Sequence, residues 1–288
     1  MENYVIFTDS GCDISPELLK KWEVEYINLI FRFEGDEKEH TNEDIGSAEF
    51  YNKMREGMVA KTSAINPDTF EVRFEEVLKQ GKDILYLAFS SGLSTTYNSS
   101  KIAAEELAGK YPERKVVSVD TLAASAGQGL LVYLAVEKKK NGAALEEVAE
   151  YINGIKNNLC HWFTVDDLVY LKRGGRISPT VAFVGNILGI KPVLHVDDEG
   201  HLVNVTKVRG RKAAIGKMAE KYGELARDAK SGVVYISHGD CISDAEALKA
   251  RLCSDYGAQV ELITDIGAVI GAHSGPGTLA LFFVGNEK

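Results

Sequence analysis

Two linked α/β domains are what this chain predicts: an N-terminal three-layer α/β/α domain on a parallel sheet, then a C-terminal domain on a mixed sheet. Three observations carry this. Short apolar runs alternate with helical stretches as far as residue 157, the order that builds parallel β-α-β units. Beyond it, two apolar runs flank the turn Asp197-Asp-Glu-Gly200, which reads as an antiparallel hairpin. A length of 288 residues also favours two cores over one. The expected domains are 1–157 and 158–288.

The elements follow in order. Val5-Ile-Phe-Thr8 is a short buried strand that ends in Asp9-Ser10-Gly11-Cys12-Asp13. Ser15-Pro16-Glu17 supplies an N-cap, a proline at the first helical position and an acidic first turn, so a helix follows. Val24 to Phe31 reads as one buried strand. Lys61-Thr62-Ser63-Ala64-Ile65-Asn66-Pro67 reads as a loop and cap before a helix that begins near Pro67. Ile84 to Phe89 is a strand. It runs into Ser90-Ser91-Gly92-Leu93-Ser94-Thr95-Thr96-Tyr97 and a helix through Ala108. Val116 to Val119 is a strand followed by Asp120-Thr121 and a long apolar helix to about Lys140.

In the second half, Trp162 to Val165 is a short strand, and Leu168 to Leu171 leads into Lys172-Arg173-Gly174-Gly175-Arg176-Ile177-Ser178. Pro192 to Val196 and Leu202 to Val208 form the hairpin. Val233 to Ile236 leads to His238-Gly239-Asp240, and Ser243-x-x-Glu246 reads as a capping box that opens the next helix. Val260 to Ile263 and Leu279 to Val284 complete the sheet.

Composition narrows the function. A hydrophobic content of 45% with 26% charged residues is that of an ordinary globular protein. A net charge of −9 argues against general nucleic-acid binding and against an anionic membrane surface. Four cysteines without metal-type pairing imply reduced thiols and a cytoplasmic protein. The opening Met1-Glu-Asn-Tyr runs straight into a strand, so no secretory leader is expected, and no apolar run is long enough to span a bilayer.

Three loops carry candidate chemistry. In open α/β sheets the ligand crevice lies outside the carboxyl ends of the strands. Thr8-Asp9-Ser10, Ser90-Ser91 and Asp120-Thr121 all fall there. The hydroxyls around Ser94 open a helix, whose first amides make a seat for an anion; they also serve as simple caps. Gly267-Ala-Val-Ile-Gly-Ala-His273-Ser274-Gly275-Pro276-Gly277 reads as a glycine-rich loop with one imidazole, either an anion donor or bonded to its own loop. Ser94, His273 and Asp9 or Asp120 are the ingredients of a hydrolase triad, but no G-x-S-x-G elbow is present. His238-Gly239-Asp240 has a structural reading, and the histidines lack the spacing of a metal site. Walker and Rossmann glycine motifs are missing, so neither ATP nor NAD is expected as a cofactor. The basic stretch from Lys207 through Arg209, Arg211 and Lys212 to Lys221 is a solvated helix face or a docking surface for an acidic partner.

In this order the motifs resemble those of the DegV family of bacterial fatty-acid-binding proteins, over nearly the whole chain. They are Thr8-Asp9-Ser10, Thr62-Ser63, Ser90-Ser-Gly-Leu-Ser94-x-x-Tyr97, Val119-Asp120-Thr121, Gly127-x-Gly129, Leu171-x-Arg173-Gly-Gly-Arg176-Ile-Ser178, Leu188-Gly-Ile-Lys-Pro-Val-Leu194 and the Gly267–Gly277 segment. The resemblance implies a long-chain fatty acid such as palmitate bound between or near the two domains. Its carboxylate would meet Thr62 and Ser94, with Ser63, Ser91 and His273 beside them. It also implies no catalytic residue, metal or cofactor. Instead the protein would be a lipid carrier that presents the carboxylate to the ATP-binding subunit of a separate fatty acid kinase. Arg173, Arg176 and Arg209 become candidates for kinase docking or phosphate handling. A Ser/His acyl hydrolase, a dihydroxyacetone-kinase-like phosphotransferase and a regulatory module are the competing classes.

Overall fold

The structure is a computed structural model that describes residues 3–177 and 189–288, so Ser178 and Leu188 of the motifs lie outside the described residues. The first strand, β1 (Tyr4–Asp9), ends in a 3-10 turn over Ser10–Cys12, and α1 (Pro16–Lys21) starts on Ser15, whose hydroxyl accepts from Leu18 N. The apolar run from Val24 is not one strand. It splits into β2 (Val24–Ile27) and β3 (Ile30–Phe33), because the Ser10 hydroxyl takes the Leu29 amide at 2.9 Å and turns the chain out of the sheet. After α2 (Ser47–Arg55), the segment read as a loop is a strand, β4 (Ala60–Ser63), paired antiparallel with β3 so that Thr62 faces Phe31. Next come α3 (Pro67–Leu78), β5 (Asp83–Ala88), α4 (Thr96–Lys110), β6 (Val116–Asp120), α5 (Ala126–Lys140) and α6 (Leu145–Ile155). Asn66 caps α3 by accepting from Thr69 N at 2.8 Å, and Pro67 occupies its first turn.

The second half holds β7 (Leu159–Thr164), α7 (Val169–Arg173), β8 (Ile190–Val196), β9 (Leu202–Arg209), α8 (Arg211–Leu225) and β10 (Val233–His238). It ends with α9 (Ile242–Tyr256), β11 (Gln259–Asp265), α10 (Ala268–Ser274) and β12 (Leu279–Val284). Two readings are corrected here. The helix expected to open on Ser243 begins at Ile242 with Cys241 as its N-cap, so Ser243 and Glu246 form no capping box. The segment around His273 is a short helix, closed by Gly275 at φ 81°.

The N-terminal sheet has the order β2-β1-β5-β6 and is parallel throughout. The C-terminal sheet runs β11-β10-β12-β7-β8-β9, parallel only between β10 and β11. The fold is therefore α/β with a parallel and a mixed sheet. Helix α5 lies between them. It packs on β1 and β5 on one side and on β7, β10 and β12 on the other. A helix covered on two faces must be apolar nearly all round, and Ala126–Val132 is buried without a break. Its glycines are spacers for this packing: a Cβ on Gly127 would lie 2.4 Å from His161 Nε2, and one on Gly129 would lie 2.5 Å from the Ile14 side chain. Phe163, Ala280 and Phe282 of the C-terminal sheet join Leu85, Leu87 and Leu130 in one core. The two halves thus meet over hydrophobic surface, except where a space remains between them.

Candidate functional site

That space is a cavity of about 510 Å³. The register of the C-terminal sheet makes one wall. Successive strand residues face opposite sides, so Thr278, Ala280 and Phe282 line it while Leu279 and Leu281 enter the core under α8 and α9. On β7, His161 and Phe163 stand opposite Phe282 and Ala280 on the same face. Val196 and Leu202, either side of the β8–β9 turn, extend the wall. Its opposite side is built from Leu29, Phe89, Ala124, Ile266, Val269 and Ile270. Thr278 and His161 add polar atoms to this wall, His161 Nε2 without a protein partner, but most of the lining is apolar and suits a hydrocarbon.

One end is polar. Along β4, Ala60 is buried and Thr62 half-buried, while Lys61 and Ser63 are exposed. Thr62 Oγ1 sits 2.7 Å from His273 Nε2, either partner donating according to the imidazole tautomer. The Ser94 hydroxyl accepts from Thr96 N at 3.2 Å and lies 2.8 Å from Thr96 Oγ1, which in turn takes the Ile65 amide at 3.4 Å. These bonds tie the loop after β4 to the start of α4. Thr62, Ser63, Ser91, Ser94 and His273 consequently all line one cavity, with Ser63 and Ser91 the more exposed. Burial first, then the nearby Arg176 charge, pushes His273 down to about 4, so its ring is neutral at pH 7. A neutral imidazole and hydroxyls can donate to an anion without carrying a charge of their own.

The three arginines separate. Arg209 is exposed at the end of β9, and Arg173 is exposed with its guanidinium 5.7 Å from the centre of the Tyr170 ring. Arg176 instead lines the cavity, donating Nε to Leu93 O at 3.2 Å and Nη1 to Gly174 O at 2.5 Å. It is the only formally charged residue among the described lining residues. Sequence reasoning grouped it with the surface cations and missed this. The available signal was Gly174-Gly175: a Cβ on Gly174 would lie 2.2 Å from His273 Nδ1, so the glycine marks a close approach at the site. The apolar wall was legible only as strand alternation, without its partners.

No hydrolase triad assembles. His273 bonds Thr62, its Nδ1 has no partner, and Ser94 bonds Thr96. The Asp9 carboxylate is buried, where it accepts from Tyr86 Oη, Phe89 N and Gly11 N, and Asp120 accepts from the Ser91 and Leu122 amides. Among the described residues no His, Cys, Asp and Glu are grouped to hold a metal. Asp240 of the His238-Gly239-Asp240 loop pairs with Arg55 at 2.5 Å across the two halves, a structural role. Around the basic stretch Arg211, Lys217 and Lys221 are paired with Asp244, Glu220 and Glu224. Burial pushes the Cys160 thiol up to about 12 and the Cys241 thiol to about 11, which keeps both protonated. No helix among the described residues is long and apolar enough to cross a membrane.

A family model described as "Uncharacterised protein, DegV family COG1307" matches residues 3–286. The chain belongs to the DegV family. It is 45% identical to a DegV domain-containing protein of Clostridium perfringens, over 100% of this chain and 99% of that one. Its fold is similar to that of a DegV-family protein of Thermus thermophilus described as binding fatty acid, with 31% identity, a TM-score of 0.89 and coverage of 98% and 99% of the two chains. A Thermotoga maritima protein whose structure was described as revealing fatty acid binding is also similar, at 31% identity and a TM-score of 0.86 over 99% and 100%. DegV membership and the cavity rest on separate observations.

Proposed function

We propose that this DegV-family protein binds a long-chain fatty acid such as palmitate in the cavity, tail against the β7–β12 wall and carboxylate at Thr62, Ser94 and His273. The observation that carries this is a mostly apolar cavity whose lining also brings together two hydroxyls, a neutral imidazole and one guanidinium. Binding by solved relatives described as fatty-acid-binding supports it. A sixteen-carbon tail buries about 14 methylenes at about 0.8 kcal/mol each, about 11 kcal/mol gross, of which association and ordering consume a large part. The tail therefore supplies most of the affinity. The polar end orients the carboxylate and spares it an unpaired burial.

On this reading the protein is a carrier, without catalysis or cofactor of its own, that works in the cytoplasm. The exposed head-group end would offer the carboxylate to a separate ATP-dependent kinase for acyl-phosphate formation, with Arg173 and Arg209 as docking candidates and Arg176 at the head group. Mass spectrometry of an organic extract of the purified protein is expected to show a stoichiometric fatty acid; a ligand-free extract together with no binding of added palmitate would refute the reading. Thr62→Ala and Ser94→Ala are each expected to weaken palmitate binding about tenfold, the value of a hydrogen bond to a charged group. Isothermal titration would measure it, and unchanged affinity in both variants would remove them from the site.

A further inference from the structure

Helix α10 carries His273, yet little in its own sequence holds it. It has seven residues with Gly271 in the middle, and its N-cap, Gly267, has no side chain with which to cap. Isolated helices of this length do not persist in water. The missing bonds come from the other half of the molecule. Asn42 Oδ1 accepts from Val269 N at 3.1 Å, in the first turn. The Asp13 carboxylate accepts from Gly267 N at 3.0 Å, and Tyr51 Oη donates to Ile266 O at 2.9 Å. Asn42 is itself fixed, donating Nδ2 to Ser10 O at 3.1 Å. Gly267 packs so tightly on it that a Cβ there would lie 2.4 Å from Asn42 Nδ2.

We propose that Asn42 is a positioning residue for the head-group site: by capping α10 from the N-terminal half, it holds His273 against Thr62. The inference rests on the reading of His273 as a head-group donor. The line of force is short. Gly271 N donates to Gly267 O and Gly275 N to Gly271 O, each at 2.8 Å, so the capped turn continues into the turn that bears His273. Asn42 is not among the described residues that line the cavity, so it acts only through the helix. It is also the cap whose loss disturbs the fold least. Tyr51 is fully buried and Asp13 is a buried carboxyl group, whereas Asn42 is half-buried and uncharged.

Asn42→Ala is expected to weaken palmitate binding about three- to tenfold, the effect of losing one helix cap. In a His273→Ala background the same change is expected to cost clearly less, the remainder coming through Val269 and Ile270, which the same helix presents to the cavity. Asn42→Asp keeps the acceptor for Val269 N but loses the donor to Ser10 O, and is expected to recover only part of the binding that Asn42→Ala loses. On the ligand-free protein, histidine-labelled NMR is expected to show the His273 ring resonances moved by Asn42→Ala and moved less by Asn42→Asp. Equal losses with and without His273, or an unmoved His273 resonance in a folded Asn42→Ala protein, would overturn the proposal. Should wild type fail to bind palmitate, the ligand reading fails alone, and the His273 resonance still decides the positioning.

Discussion

Ala280→Phe is expected to abolish useful fatty acid binding and leave the protein folded. Ala280 lies in the middle of the cavity wall on β12, paired across the sheet with Phe163 of β7. A phenyl ring there occupies the path of the tail and displaces about four methylenes, worth about 3 kcal/mol or roughly two hundredfold in Kd. Enlarging a side chain in a close-packed core costs about 1–3 kcal/mol, because neighbours must move. Here the ring enters open volume, so the melting temperature of the ligand-free variant should match or exceed that of wild type. Thermal unfolding and palmitate titration on the same sample separate the outcomes. Full palmitate affinity in a folded Ala280→Phe protein would place the tail elsewhere. Octanoate, with eight fewer carbons to place, should lose less than palmitate.

The layout behind that expectation was only partly legible in the sequence. Strand-helix alternation gave the parallel sheet, and the Asp197–Gly200 turn gave the β8–β9 hairpin, since both are local patterns. The break between β2 and β3 was not legible, because it is made by Ser10, a residue distant in sequence that takes the Leu29 amide. Helix α10 read as a loop for a related reason. Its glycines give it poor helix propensity, and the bonds that overcome this come from Asp13 and Asn42. The start of α9 departs from the capping-box signal through another local bond: the Cys241 amide turns toward His238 Nδ1, three residues back, at 3.4 Å, and the helix begins before Ser243. In the site, the hydroxyl residues could be named as candidates by type and by position at strand ends. Their convergence on Arg176 could not, since it depends on how close α10 comes to the Gly174 turn. Of these, α10 is the element whose conformation is set from the other half, by Asp13 and Asn42.

Acid is expected to separate the contributions of two buried groups that act in opposite directions. Burial pushes His161 from the ordinary 6.5 down to about 3. Its folded form binds protons less readily than the unfolded chain, so it stabilises the fold above pH 6.5 and loses that contribution as the pH falls toward 3. Asp13 behaves in reverse. Burial raises its carboxyl from 3.8 to about 7, against the lowering effect of the Ser125 hydroxyl and the Gly267 amide. Its contribution is greatest below pH 3.8 and declines as the pH rises through 7. Each tenfold change in proton affinity is worth about 1.4 kcal/mol, so either group shifts unfolding free energy by about 3 kcal/mol between pH 4 and 6.5. His273, pushed down to about 4, sides with His161, and Asp9, raised by burial, sides with Asp13. The wild-type profile over this range should therefore be shallow. His161→Leu removes a group that favours neutral pH, so its loss of stability on acidification should be smaller than that of wild type by about 3 kcal/mol. Asp13→Asn removes a group that favours acid, so its loss should be larger by a similar amount, about 3 kcal/mol. Urea unfolding at pH 4, 5 and 6.5 measures both slopes. Profiles of the two variants that run parallel to wild type would show that neither group titrates out of its ordinary range, and with it that the region between the sheets is wetter than its packing implies.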